Sequence, residues 1–300
     1  RAAELTPPRR GPQPGGDRVQ WSACFAPPLR GPLPRNGIRA ADSVGFIHRR
    51  EHRMCGICGE IAKDRPADMG GAIGAMCQTM VPRGPDAAGS WSQGSIGLGG
   101  HRRLQIIDLS PAGSQPMHDA DLGGLTVAFN GCIYNYPQLR EELIGKGYRF
   151  FSHSDTEVIL KGYHAWGGSD VVTHLFGMFA FAITERDTGR VMLARDRLGI
   201  KPLYWAQTAD SFRFASSLPA LVNAGGIDTS LDPVALHQYL SFHSVVPAPH
   251  TILAGVRKLA PGDADVHRAG RDPHRADVLD TGGPAPQRAC RVDRRRLDRR

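Results

Sequence analysis

Lysine is scarce in this 300-residue chain, and its distribution is the first clue to organisation. All five lysines (Lys63, Lys146, Lys161, Lys201, Lys258) lie between residues 54 and 262. Residues 1–53 hold ten Arg and four acidic residues without a lysine, and residues 263–300 hold ten Arg and seven Asp without Lys or Glu. The net charge of +8 therefore belongs to the two ends. The middle, with 17 basic and 18 acidic residues, is close to neutral. A basic chain of this size invites a nucleic-acid partner, but the near-neutral middle argues against one. No apolar run approaches the roughly 20 residues that span a bilayer, which argues against a membrane partner. The stretch 21–29 is too short and too proline-broken for the apolar core of a secretory signal. The six cysteines (24, 55, 58, 77, 132 and 290) show no paired spacing of a disulfide framework, so a reduced, cytoplasmic protein is expected. The CxxC run from Cys55 to Cys58 has no second pair to complete four zinc ligands. It also lacks the βαβ surroundings of a redox pair. The glycines between 94 and 100 do not form a dinucleotide fingerprint. No metal site is expected.

The ends are rich in Arg, Pro, Gly and Ala and keep no sustained period of 2 or 3.6. They are read as disordered: 1–53 as an extension or non-native sequence, 263–300 as a basic tail. Arginine without lysine is also what a GC-rich gene yields out of frame. On that reading translation begins at Met54 and the frame changes near Gly262.

The middle is predicted to be one α+β domain, 54–262. Strands are expected at 55–62, 97–108, 125–129, 178–184, 191–195, 203–206 and 212–216. Helices are expected at 68–80, at 136–146 with Leu139, Leu143 and Ile144 buried, at 158–166 with Ser154, Asp155 and Glu157 as N-cap and first turn leading into it, and near 218–223 and 233–241. Strands joined by short turns imply antiparallel sheets, with helices in two blocks covering the outer faces.

Chemistry enters at Met54-Cys55-Gly56. Removal of an initiator methionine would leave Cys55 with a free α-amine. With a pKa of about 7.7–8.0, that amine is partly unprotonated at neutral pH and can serve as base for its own thiol. One residue then supplies nucleophile and base. A buried structural cysteine is the plain alternative.

Seven blocks decide between them. They are Met54-Cys55-Gly56-Ile57, Arg83-Gly84-Pro85-Asp86, His101-Arg102-Arg103-Leu104 running to Ile107-Asp108, and Asn130-Gly131-Cys132-Ile133-Tyr134-Asn135. Then follow Ser154-Asp155-Thr156-Glu157, Gly177-Met178-Phe179-Ala180-Phe181-Ala182, and Arg195-Asp196-Arg197-Leu198-Gly199-Ile200-Lys201-Pro202-Leu203-Tyr204. In this order they resemble the class II glutamine amidotransferase domain, most closely the N-terminal half of glutamine-dependent asparagine synthetases. The resemblance implies a four-layer αββα sandwich of two antiparallel sheets. It also implies hydrolysis of glutamine to glutamate and ammonia at Cys55. The Asn130 side-chain amide and the Gly131 N–H would receive the oxyanion, with Gly131 in a tight turn that lets backbone approach substrate. Arg103 would fork onto the substrate α-carboxylate, and Asp155 would hold the α-ammonium. Cys132 stands where many relatives carry Glu, so only a backbone contact to glutamine is expected there. Taken singly, Arg103 reads as a surface ion-pair partner, Asp155 as a helix-first-turn carboxylate and Asn130-Gly131 as a hairpin turn.

Full-length relatives continue into an ATP-dependent synthetase domain marked by a Ser-Gly-Gly-x-Asp-Ser loop, and the sequence has none. ATP and Mg are expected only with that domain, and this chain is expected to need no cofactor. A synthetase domain or subunit is therefore the implied partner. The acceptor would be aspartate or, from the Asn-Gly-Cys-Ile-Tyr-Asn run, an N-acetylated glutamine dipeptide. A catalytically inactive remnant or binding module is the remaining alternative.

Overall fold

The computed structural model of the protein describes residues 54–103, 107–268 and 277–279, with backbone alone at 100–103 and 277–279. The extension read at 1–53 lies outside the described residues. In chain order the elements are β1 (Gly56–Ala62), α1 (Ala72–Thr79), β2 (Ala87–Gln93), β3 (Ile96–Arg103), β4 (Met117–Asp119) and β5 (Leu125–Ile133). Next come α2 (Tyr136–Gly145), α3 (Asp155–Trp166), α4 (Val171–His174), β6 (Gly177–Glu185), β7 (Arg190–Arg195), β8 (Tyr204–Gln207) and β9 (Ser211–Ala215). Last are α5 (Leu218–Asn223), α6 (Pro233–Ser241), β10 (Arg257–Lys258), β11 (Ala264–Arg268) and β12 (Asp277–Leu279).

The strands form two six-stranded sheets, ordered β10-β8-β9-β1-β3-β2 and β12-β11-β7-β6-β5-β4. Every pairing is antiparallel. Strand alternation sorts the side chains into three apolar layers. On β5 and β6, Ala128, Ala180 and Ala182 turn toward the other sheet and meet Phe212 and Phe214 of β9. Small residues on one sheet thus make room for aromatic rings on the other. The opposite face of the same strands, with Val127, Phe129, Phe179 and Phe181, packs under Leu139 and Leu143 of α2 and Val158 and Ile159 of α3. The outer face of the first sheet, with Cys58 and Ala215, is covered by Ile73, Met76 and Leu221 of α1 and α5. The order is helix, sheet, sheet, helix, as the resemblance implied.

Four local readings are corrected. The helix expected from Asp68 begins at Ala72, because the Asp68 carboxylate accepts hydrogen bonds from Gly71 N and Ala72 N and so closes the helix start. Ile144 is 53% exposed, leaving Leu139 and Leu143 as the buried face of α2. Asn130-Gly131 is no hairpin turn: both residues lie within β5, opposite Ala180 and Phe179 of β6. The sheet also runs past Gly262, since β11 pairs over its whole length with β7 and carries β12 beyond it. The boundary at 262 and the tail from 263 fail over those residues.

β11 fits its place unevenly. Ala264 and Val266 join the apolar layer beneath the helices, while His267 on the other face stacks on Phe212 at 3.8 Å. Both His267 ring nitrogens and Asp265 Oδ1 are buried without a hydrogen-bond partner among the described residues. Burial alone lowers the His267 pKa to about 4. Burial, aided by the charge of Asp263, raises that of Asp265 to about 6. Both shifts disfavour the charged form, as expected where apolar side chains would pack better.

Candidate active site

Alternation along two strands brings the first candidates toward one space. Cys55 directly precedes β1 and shares the parity of Ile57 and Ile61, which face the interior between the sheets. Asn130 and Cys132 share the parity of Ala128 on β5 and face the same interior from the other sheet. β1 and β5 approach each other across the sandwich. Cys58, of opposite parity, points to the helix side. Its thiol donates to Gly99 O at 3.2 Å and lies 3.7 Å from Cys77 Sγ. The CxxC run therefore does not act as a pair.

Asn130 is 1% exposed, and its Nδ2 has no hydrogen-bond partner among the described residues. A buried amide left unspent costs about 1–3 kcal/mol and calls for an explanation. Beside it, alternate N–H groups of β5 leave the ladder on the side away from β6. Phe129 N donates to Gln115 Oε1 at 2.6 Å and Ile133 N to Asp155 Oδ2 at 3.0 Å. Antiparallel geometry puts the Gly131 N–H on this same side, between those two. Phe179, opposite Gly131, confirms the parity, because its own N–H and carbonyl bond to Asp196 on the far side. Glycine at 131 answers a close approach, although not in the turn expected. A Cβ there would lie 2.2 Å from Met178 O and 2.8 Å from Phe179 Cα.

Asp155 occupies the first turn of α3 but does not cap it. Ser154 Oγ accepts from Thr156 N instead, which leaves the Asp155 carboxylate turned to the end of β5. Asp155 is 4% exposed, and burial raises its pKa to about 6 against the opposing hydrogen bond from Ile133 N. Burial and the Asp155 charge also raise the pKa of the Cys132 thiol, while Lys201 lowers it. Lys201 in turn interacts with the charges of Cys55, Arg83, Asp196 and Cys132. Cys55, Cys132, Asp155 and Lys201 thus belong to one electrostatic neighbourhood.

The backbone of Arg103 ends β3, paired with Ala87. Its side chain lies outside the described residues. Lys201 and Arg83 are the additions. Both stand in blocks that carried the family resemblance, but nothing in their spacing assigned them a place beside Cys55. Among the described residues no group of three or more His, Cys, Asp or Glu could hold a metal ion. No described helix is long and apolar enough to cross a membrane.

Residues 54–275 match the family described as the glutamine amidotransferase domain. Over 212 residues the chain is 42% identical to asparagine synthetase [glutamine-hydrolyzing] 1 of Bacillus subtilis (strain 168), covering 70% of this chain and 33% of that protein. Asparagine synthetase [glutamine-hydrolyzing] 3 of the same organism is 34% identical over 213 residues, covering 70% of this chain and 34% of that protein. The chain thus spans about one third of the length of these curated relatives. Among solved structures, the glutamine phosphoribosylpyrophosphate amidotransferase of B. subtilis superposes with a TM-score of 0.52 at 17% identity. That superposition covers 76% of this chain and 49% of the other, a likeness of fold.

Proposed function

Because this chain belongs to the glutamine amidotransferase domain family, we propose that it hydrolyses the side-chain amide of glutamine to glutamate and ammonia, with Cys55 as nucleophile. Once Met54 is removed, the Cys55 α-amine takes the thiol proton and the sulfur attacks the amide carbon. The carbonyl oxygen becomes an oxyanion between Asn130 Nδ2 and the Gly131 N–H, two fixed donors that need no reorganisation. Collapse expels ammonia with the proton returned from the α-ammonium. Water then resolves the thioester to glutamate. The substrate α-carboxylate is assigned to Arg103 and the α-ammonium to Asp155, whose hydrogen bond from Ile133 N favours its charged form. Cys132 contributes backbone beside the amide.

The observation that carries this reading is the buried, unspent Nδ2 of Asn130 on a strand facing the sheet that Cys55 leads. A donor kept unpaired inside a protein is costly unless a ligand takes it.

The ammonia is assigned to a synthetase domain or subunit, with aspartate as first acceptor and an N-acetylated glutamine dipeptide as second. ATP and magnesium are assigned there, not to this chain, and the setting is assigned to the cytoplasm. The test is glutamate release from glutamine by the chain beginning at Cys55. Release is expected, and it should vanish when Met54 remains attached, because the α-amine is then a peptide nitrogen. No release from the chain beginning at Cys55 overturns the reading.

A further inference from the structure

The block from Arg195 to Tyr204 has no part in the reaction as described, yet two of its side chains tie its loop down with a dense set of hydrogen bonds. The Arg195 guanidinium donates to three carbonyls: Lys201 O at 2.7 Å from Nε, Leu259 O at 2.6 Å from Nη1 and Gly199 O at 2.7 Å from Nη2. The Asp196 carboxylate accepts from Leu198 N, Ile200 N and Lys201 N at 2.9–3.1 Å, and from Phe179 N at 3.2 Å. Gly199 turns the chain with φ +63°, a left-handed conformation that suits glycine. Two of these bonds hold the backbone of Lys201 itself, one at its N–H and one at its carbonyl.

The side chain so placed is 6% exposed, and its ammonium lies 3.4 Å from Met54 Sδ. A thioether is a weak acceptor. Among the described residues no carboxylate lies within ion-pair distance of Lys201, so its burial is poorly compensated locally. The charges that reach it come from four directions: Cys55 ahead of β1, Arg83 after α1, Asp196 after β7 and Cys132 on β5. Asp155, at the start of α3, acts on Cys132. Burial lowers the pKa of the Lys201 ammonium, and the Cys55 thiolate opposes that shift most among the charges.

We propose that Lys201 is a positioning residue for the nucleophile: the loop that Arg195 and Asp196 tie down holds its buried ammonium at the start of β1, where, with Met54 removed, it stabilises the thiolate of Cys55. The inference rests on the glutaminase reading of Cys55 and adds a residue to it. A cation beside a thiol favours the thiolate. Removing that cation raises the pH at which the thiolate forms.

The test is the pH dependence of Cys55 alkylation by iodoacetamide, read by peptide mass in the chain beginning at Cys55, for wild type, Lys201→Met and Lys201→Arg. The acidic limb is expected to move up by about one pH unit in Lys201→Met, as for loss of one close opposite charge. Lys201→Arg should keep the wild-type limb. Coincident limbs in folded Lys201→Met and wild type overturn the proposal. If Lys201→Met does not fold, Lys201→Gln replaces it, and coincident limbs in the Gln and Arg variants overturn it equally. Failure of the glutaminase reading would show separately, as a wild-type Cys55 that alkylates but releases no glutamate.

Discussion

Replacing Cys55 by Ala is expected to reduce glutamate release from glutamine at least about 1,000-fold, the scale on which a covalent nucleophile is missed. The substitution removes one sulfur from a half-buried residue ahead of β1. Stability should therefore change by less than about 1 kcal/mol. Cys58 cannot stand in. It has the opposite strand parity, and its thiol is engaged with Gly99 O and Cys77. Cys132 is a poor substitute: burial and the Asp155 charge push its thiol pKa up, against the opposing charge of Lys201, and it has no adjacent α-amine to act as base. A Cys55→Ala protein that still releases glutamate at more than a few per cent of the wild-type rate would refute the nucleophile assignment.

Asn130→Ala is expected to lower kcat about 100- to 1,000-fold, the cost of one oxyanion donor, with a much smaller change in KM. The donor is required once charge has developed on the oxygen, so its loss falls on the chemical step. The stability readout should move the other way. In the ligand-free protein Nδ2 is buried without a partner among the described residues. Removing it relieves a desolvation penalty of about 1–3 kcal/mol, offset by the small cavity left behind. Denaturant unfolding should thus show Asn130→Ala as stable as wild type or slightly more so, while steady-state kinetics show it nearly inactive. A residue that only held the strand in place would give the reverse, lower stability with activity following the folded fraction.

The fold was legible where hydrophobic period and burial agree. Ile57 and Ile61 on β1, Phe179 and Phe181 on β6, and Leu139 and Leu143 on α2 announced strands and a helix, and each faces an apolar layer. The failures have physical causes. Asn-Gly is a strong local turn signal, but eight residues of β6 pair in register along β5 through that point, and tertiary pairing overrides the local preference. β11 was hidden because its alternation is short, with only Ala264 and Val266 apolar, and lies inside the Arg- and Asp-rich stretch read as a tail. Its backbone nonetheless completes the sheet against β7. At the site, Cys55, Asn130 and Asp155 were marked by residue type within the blocks that carry the family resemblance. Lys201 was not, because its nearness to Cys55 depends on a loop knotted by Arg195 and Asp196. Those two residues sit in the same block, but nothing in their spacing states which backbone groups they bind.

Glutamine hydrolysis by this chain requires one sulfur, that of Cys55, to carry the covalent intermediate, and an electrophilic chloroketone analogue of glutamine tests this most directly. Intact mass and peptide mapping of the chain beginning at Cys55 are expected to give a single adduct on Cys55, slowed by added glutamine and absent from Cys55→Ala. A glutamine-protected adduct on Cys58, Cys77 or Cys132, with Cys55 unmodified, would contradict the account.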